Sequence, residues 1–304
     1  MKKILTLLDK AVEEMNQRYL LCFVSDPKKE KKIQVFDLES GEVMGEVWVE
    51  GPVYSAVIHE GILYLGGEEK IFKLGGDEDT PLQEEYTPEG KEWKQLFVYK
   101  GELWGLSGGT DLVGRVGKDY RKLRGHGAKH FVPNWICFRQ GGAYIQYLGD
   151  GELKVAELDL ESGEIGEIIY EKECRILGGY RSKFEFHEDW ILTTGLGDGL
   201  IAYNTKTGEE KVLYRIGERE GGVERFEIMR RGYVEVVVGV SGWSIFGPVS
   251  SLVIQKVDRK MEEPKRGIVR KRIIKDVQTI FPLLLEGENL VKIIQSTQKS
   301  LNLK

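Results

Sequence analysis

The chain is poor in the residues that staple small folds or build catalytic centres. It has 304 residues but only three cysteines and four histidines. The cysteines (Cys22, Cys137 and Cys174) are odd in number, and each lies within or beside an apolar run, which predicts buried free thiols in a reducing compartment. With so few histidines, a histidine-rich catalytic metal centre is difficult to assemble.

Long apolar runs and secretion signals are missing too. No stretch approaches the roughly 18 apolar residues of a membrane span. The start, Met1-Lys2-Lys3 followed by residues 4–8, is too short for a signal core and has no small-residue cleavage site. No Gly-x-Ser-x-Gly nucleophile elbow occurs. We therefore expect a cytoplasmic protein that carries no cofactor.

Charge is plentiful but nearly balanced. Charged residues make up 31% of the chain, and the net charge is only -5. The chain as a whole is thus not a polyanion binder. A high charged fraction with few Asn and Gln is typical of proteins from thermophiles, although a mesophilic surface gives the same composition.

A two-residue turn signal recurs along the chain, with an apolar run on each side. The intervals between the seven copies are 40 to 55 residues, and most are 40 to 48. The copies are Asn16-Gln17, Glu60-Gly61, Lys100-Gly101, Gln140-Gly141, Glu188-Asp189, Arg231-Gly232 and Glu286-Gly287. This period matches the length of one four-stranded propeller blade.

A second turn signal has the same phase. The segment 36–42 reads Phe-Asp-Leu-Glu-Ser-Gly-Glu, and it recurs at 158–164 and, with drift, at 203–209. Asp or Asn caps such a turn, and Gly supplies the positive φ. We place it between the third and the outer fourth strand of a blade.

The ends of the chain predict how the fold closes. The last repeat offers only three strands, at 279–285, 289–295 and 300–303. Residues 2–8 would supply its outer strand, and residues 11–17 fall in phase as the innermost strand of the first repeat. The sequence therefore predicts an all-β fold in one domain, residues 1–304. It would be a seven-bladed β-propeller with four-stranded antiparallel blades, closed by an N-terminal strand that completes the last blade.

The repeat resembles the WD40-type propeller repeat. Its best copy has Gly125-His126, then the turn at Asp150-Gly151, then Leu158-Asp159. These lie where that family has its Gly-His dipeptide, its Asp-containing turn and its Trp-Asp dipeptide. The resemblance implies a non-enzymatic platform that binds protein partners.

A long apolar turn in the sixth repeat is the first candidate site. Residues 241–250 are predicted to form a ten-residue loop before a third strand that begins at Leu252. The loop would anchor a protein partner through Trp243, Ile245, Phe246 and Pro248. The alternative is a local plug that folds over the mouth of the channel.

The same repeat carries a basic stretch. Its residues are Arg259, Lys260, Lys265, Arg266, Arg270, Lys271 and Arg272. Such a patch could bind nucleic acid or an anionic surface. No aromatic residue is interleaved, and the alternative is an outer strand whose charges prevent sheet-to-sheet pairing.

The third candidate is an anion site at the channel mouth. It would combine Arg124, His126, His130, Tyr180 and Arg181. His126 and His130 are four residues apart, but the flanking glycines argue against the helix on which that spacing forms a metal pair.

The functional hypotheses follow in order of preference. The first is a non-enzymatic scaffold with WD40-like repeats. The second is a hydrolase or lyase that uses carboxylates such as Asp150 and Asp198 with a bound cation at the channel mouth. The third is a nucleic-acid-associated subunit that uses the basic stretch.

Overall fold

A computed structural model of the chain describes residues 19–25, 31–37, 43–49, 53–60, 62–67, 70–74, 83–86, 93–108, 110–174, 183–194, 199–215, 220–230, 234–244, 247–257, 270–275 and 279–283. Side chains are described chiefly between residues 93 and 215. The regular structure in these ranges is β-strand. They contain no helix long and apolar enough to cross a membrane.

The described strands form six four-stranded antiparallel sheets, numbered here along the chain. Sheet 1 contains β1 Tyr19–Ser25, β2 Lys31–Asp37, β3 Val43–Val49 and β24 Thr279–Leu283. Sheet 2 contains β4 Val53–His59, β5 Ile62–Gly67, β6 Lys70–Leu74 and β7 Gln83–Tyr86. Sheet 3 contains β8 Trp93–Tyr99, β9 Glu102–Ser107, β10 Leu112–Arg115 and β11 Tyr120–Lys122.

The second half of the chain repeats the arrangement. Sheet 4 contains β12 Phe131–Arg139, β13 Gly142–Gly149, β14 Glu152–Asp159 and β15 Glu164–Glu173. Sheet 5 contains β16 Phe184–His187, β17 Trp190–Thr193, β18 Gly199–Asn204 and β19 Glu210–Arg215. Sheet 6 contains β20 Glu220–Arg230, β21 Val234–Ser244, β22 Gly247–Val257 and β23 Arg270–Lys275.

The sheets stand side by side around a common centre. Within each of sheets 2 to 6, the four strands are consecutive in sequence, and each pairs with the strand that follows it in that sheet. The innermost strands of neighbouring sheets pack on one another: β4 on β8, β8 on β12, β12 on β16, and β20 on β24. In sheets 2 to 6 the innermost strand is therefore the first in sequence, whereas in sheet 1 it is β24. The predicted four-stranded antiparallel unit is confirmed.

The first turn signal is the hairpin between the first and second strands. Glu60, Lys100, Gln140 and Glu188 all have a φ near +50°, and Gly101 and Gly141 follow with φ values of 75° and 83°. At Lys100-Gly101 and Gln140-Gly141, two successive residues with positive φ give the turn whose twist suits a two-residue hairpin. All four copies lie between the first and second strands of their sheets, so these copies of the predicted turn are confirmed.

The second turn signal also lies where it was predicted. Asp159 Oδ1 accepts a hydrogen bond from the Glu161 amide at 2.9 Å, and Oδ2 accepts one from Ser162 Oγ at 2.8 Å. In sheet 5, Asn204 Oδ1 accepts from the amides of residues 206 and 207. Both turns join the third strand to the outer fourth strand.

Each of three innermost strands has an irregularity at the same point. The pairing register shifts around Tyr54, Lys94 and Asn134, which lie 40 residues apart. A bulge bends its strand and re-aims the extra side chain. Lys94 Nζ uses this position to donate to Asn134 Oδ1 at 2.6 Å and to the Pro133 carbonyl at 2.7 Å, so two bulges in neighbouring sheets are joined.

Buried polar side chains cross the seams between sheets. Gln95 of β8 donates to the Ile136 carbonyl at 2.8 Å and accepts from the Ile136 amide at 2.6 Å, which satisfies both backbone groups of a residue in the next sheet. Three other seams are crossed in the same way, by Ser55 to Leu96, by Gln146 to Thr193 and by Lys183 to Phe226.

Apolar clusters fill the space around these polar contacts. One lies between sheets 3 and 4 around Trp104, Ile136 and Tyr147, and a second lies between sheets 4 and 5 around Tyr170 and Phe184. Among the residues with described side chains, the core is thus divided among the seams, and sheets 3 and 4 are packed on both faces by their neighbours.

Closure of the ring differs from the prediction. β24 pairs with β1, with Leu21 opposite Leu283 and Ser25 opposite Thr279. The C-terminal strand therefore becomes the innermost strand of the sheet that the N-terminal strands build. Residues 11–17 were predicted for that position, but β1 already has β2 on its other edge. The physical reason is the apolar run 279–283, which suits a position buried on both faces better than a segment with Glu13 and Glu14.

The predicted last blade is not described. Residues 2–8, predicted as its outer strand, and the segments 289–295 and 300–303 lie outside the described residues. The count of seven blades and the N-terminal outer strand therefore stay predictions, as does a single domain over residues 1–304.

Truncation tests the observed closure. A chain that ends at residue 278 lacks β24, leaves the edge of β1 unpaired and should lose about 5 kcal/mol of unfolding free energy, at roughly 1 kcal/mol for each ladder hydrogen bond. A chain that ends at residue 284 keeps β24 and is the matched control. Urea unfolding followed by circular dichroism measures both, and equal midpoints would contradict closure through β24.

The seam contact of Gln95 gives a second prediction. Gln95→Leu leaves the amide and the carbonyl of Ile136 buried without partners, so it should cost about 2–4 kcal/mol of unfolding free energy. Lys122→Leu, on an exposed position of β11, should change it by less than about 0.5 kcal/mol. Chemical denaturation of the two variants measures their unfolding free energies. A Gln95→Leu protein as stable as the control would show that the Gln95 contact does not stabilise the seam.

Candidate functional site

The predicted apolar loop of the sixth repeat is a hairpin instead. β21 and β22 are 11 residues long, and Trp243 pairs with Pro248 while Ser244 pairs with Gly247. Only Ile245 and Phe246 remain for the turn, and they lie outside the described residues. The ten-residue loop and the strand start at Leu252 were therefore wrong. The apolar residues that made the loop unusual are strand formers that continue the ladder.

Within the described residues, the pairing of β21 with β22 continues past the pairing with the strands on either side. The last residue of β21 that pairs with β20 is Gly242, and the first residue of β22 that pairs with β23 is Val249. No described strand of this sheet lies beside the paired residues 243–244 and 247–248. We call the segment from Trp243 to Pro248 the hairpin tip; it contains all four residues predicted as the partner anchor.

The basic stretch is only partly described. Arg270, Lys271 and Arg272 begin β23, the outer strand of sheet 6. The other four predicted residues, Arg259, Lys260, Lys265 and Arg266, lie outside the described residues. An outer position suits both interpretations of the charges, as a binding surface and as protection of a sheet edge, so the patch stays a prediction.

The predicted channel-mouth residues do not all come together. His126 stacks on Phe131 at 4.0 Å between ring centroids, and its Nδ1 accepts a hydrogen bond from the Ala128 amide at 3.2 Å. His130 lies a few residues on and is exposed. Tyr180 and Arg181 lie outside the described residues.

Arg124 lies at the other end of sheet 4. Its amide donates to the Gly163 carbonyl at 2.9 Å, and its carbonyl accepts from the Ile165 amide at 2.8 Å. His130 instead pairs with Asp150, at the opposite end of β14. An eight-residue strand spans roughly 23 Å, so the structure separates Arg124 from His130.

Asp150, predicted as a catalytic carboxylate in the enzyme hypothesis, is engaged by the backbone. Its carboxylate accepts hydrogen bonds from the amides of His130 and Lys129, each at 3.1 Å. These bonds lower the pKa of the Asp150 carboxyl, first through His130 and then through Lys129. Asp198 lies outside the described residues. Among the residues that are described, no group of three or more His, Cys, Asp or Glu could hold a metal ion.

Two of the thiols can be placed. Cys137 and Cys174 lie next to the cluster between sheets 4 and 5, and neither forms a disulfide within the described residues. Burial raises the pKa of the Cys137 thiol to about 11, so it stays protonated at neutral pH. The expectation of a free thiol is confirmed for Cys137, which is half-buried rather than fully buried.

A groove on sheet 4 was missed by the sequence analysis. It has a volume of about 580 Å³, and its lining includes Gly142, Tyr144, Glu157, Asp159, Glu164 and Gly166. Tyr144 also packs edge-to-face on Phe186 of sheet 5 at 4.9 Å. A glycine inside a strand is a sequence signal for close approach, and Gly142 and Gly166 carried it. The signal could not be used, because the bulges between β14 and β15 decide which residues share a face.

Comparison with known proteins settles the architecture. No family model matches the chain, and no curated protein matches it significantly. A solved structure described as a nidogen/laminin complex is 14% identical, covers 88% of this chain and 99% of that chain, and has a TM-score of 0.57. The fold is a β-propeller. A structure of the Dos1 propeller is also similar, at 10% identity over 77% of this chain and 73% of that chain, with a TM-score of 0.44.

The role of Asp150 in the propeller can be tested by pH. Because its pKa is lowered in the folded state, Asp150 stabilises the fold above the unfolded-state pKa of about 3.9, and this contribution is lost as the pH falls through the lower folded-state pKa. Asp150→Asn keeps one carbonyl acceptor and cannot titrate.

The expected result is a wild-type advantage in unfolding free energy at pH 6 that shrinks below about pH 4. Denaturant unfolding of both proteins from pH 6 to pH 2 measures it. A difference that does not change with pH would mean that the carboxylate charge has no part in holding the 129–130 backbone.

Proposed function

We propose that this protein is a non-enzymatic binding platform of the WD40-like type that acts as a scaffold in the cytoplasm. The observation that carries the proposal is the end of the β21–β22 hairpin, where Trp243 pairs with Pro248 beyond the last described partners in β20 and β23. Trp243 and, later in the same segment of the sequence, Phe246 are aromatic residues of the type that forms the energetic centre of many protein interfaces.

The blade seams support this function because they make the display rigid. Gln95 and Lys94 tie sheet 3 to sheet 4 through buried hydrogen bonds, and Lys183 ties sheet 5 to sheet 6. A rigid scaffold loses little conformational entropy when it binds, so recognition can rest on a few loop and turn residues. The proposed mechanism is therefore a fixed surface that a partner meets with little change of shape.

Affinity capture from the source organism tests the platform. The variant Trp243→Ser/Phe246→Ser removes the two aromatic rings from the hairpin tip, and loss of hot-spot residues should cost about 2 kcal/mol or more, a loss of roughly 30-fold in affinity. Ile168→Ala is the control, because Ile168 is an exposed apolar residue of β15 outside the hairpin tip.

The expected result is one or more proteins enriched on the wild type and on Ile168→Ala but lost from the double variant. Quantitative mass spectrometry of the three eluates measures this. Recovery of the same proteins at the same level on all three would eliminate the hairpin tip as the anchor.

A further inference from the structure

We propose that the groove on sheet 4 binds an extended, lysine- or arginine-bearing segment of a protein partner. This second surface goes beyond the hairpin tip. It rests on the proposed function only in taking the occupant to be a protein.

Part of the negative charge that lines the groove is uncompensated. Glu161, which precedes the lining residue Ser162, forms an ion pair with Lys100. Glu157 and Glu164 both line the groove and form no ion pair within the part of the chain that the structure describes. The carboxylates that line the groove therefore present negative charge to whatever enters it.

Asp159 adds a third carboxylate that is held in place. Its oxygens accept hydrogen bonds from the Glu161 amide and from Ser162 Oγ. The hydrogen bond from Ser162 is the largest of the causes that lower the pKa of the Asp159 carboxyl. Each carboxylate oxygen has a further lone pair for an incoming donor. The turn thus orients a charged group at the end of the groove.

The shape and chemistry of the groove lining also suit an organic cation. Gly142 and Gly166 have no side chains, and a Cβ at Gly166 would make only ordinary contacts of 3.5 Å or more, with Glu157. This leaves room above the sheet beside the Tyr144 ring. An aromatic ring with carboxylates around it suits an ammonium or guanidinium group, through cation–π attraction and charge-assisted hydrogen bonds.

A bare metal ion fits less well than an organic cation. The described residues contain no group of three or more His, Cys, Asp or Glu that could hold a metal. The volume of about 580 Å³ is large enough for a side chain with part of its backbone. The lining therefore favours the side chain of a peptide.

The outer edge of sheet 4 lies next to the groove. No described strand pairs with the outer edge of β15, whose start is bridged to Arg124. An exposed edge can accept an added strand. The second half of β15 has compensated charges, since Glu171 pairs with Lys154 and Lys172 pairs with Glu210 of sheet 5. Its first half carries Glu164 and Glu167, so this part of the edge disfavours acidic strands and favours a basic one.

The test uses a fluorescein-labelled peptide of sequence Ala-Lys-Val-Arg-Val-Lys-Ala and a counterpart in which glutamine replaces each basic residue. Fluorescence anisotropy at low salt measures binding to the full chain. The groove variant is Glu157→Gln/Glu164→Gln. The matched control is Glu60→Gln/Glu188→Gln, which removes the same charge from exposed turns of other sheets.

We expect the wild type and the control to bind the basic peptide within twofold of each other, and the groove variant to bind about fivefold more weakly. Amide NMR should show the largest shifts at Gly142 and Gly166. No binding to the wild type, equal weakening in both variants, or shifts confined to other sheets would each overturn the proposal.

Two further outcomes are decisive. Trp243→Ser should bind the peptide like the wild type, so failure of the hairpin-tip proposal and failure of this one can be told apart. Sedimentation velocity checks for self-association. A dimer that the groove variant abolishes would overturn the assignment, because the occupant would then be a second copy of this chain.

Discussion

The described strands of adjacent sheets in this propeller share no backbone ladder along their seams, so side chains must set how one sheet packs on the next. Gln95 does this most directly, because its amide makes both backbone hydrogen bonds of Ile136 across the seam. In a buried setting these bonds have strict geometry, and a shift of the sheets would leave polar groups unpaired. Apolar packing supplies most of the favourable free energy, but it is not directional. The polar contacts therefore decide the angle between blades, and the positions of the loops follow from that angle.

Sequence reasoning succeeded where the signal was local. The turns at Lys100-Gly101 and Gln140-Gly141 need positive φ at two successive residues, and the identity of the turn residues alone indicates this conformation. The capped turn at Asp159 is local in the same way. Sequence reasoning failed where two distant segments could occupy the same position, the inner edge of β1. Which segment completes the sheet of β1 depends on pairing between residues more than 250 positions apart, and no local pattern encodes that choice.

The candidate sites show the same division. The apolar residues around Trp243 were noticed because they are unusual for a loop. Their predicted loop conformation was wrong, because the pairing of two long strands can continue past the strands beside them. The channel-mouth grouping rested on strand counting, and the structure separates Arg124 from His130. The groove beside Tyr144 was invisible because strand bulges change which residues share a face. Together the hairpin tip and the groove are two chemically different candidate surfaces of the propeller, one rich in aromatic residues and one acidic.

The pairing of β24 with β1 has a consequence for synthesis of the protein. A ribosome makes β1 before, and β24 after, the other described strands, so the inner edge of the first sheet lacks its partner strand while the intervening five sheets emerge. Long-range β pairing of this kind is slow, and an open strand edge can pair with other chains. The nascent chain is therefore most vulnerable to aggregation before β24 leaves the exit tunnel, and chaperones that cover strand edges would act on it at that stage.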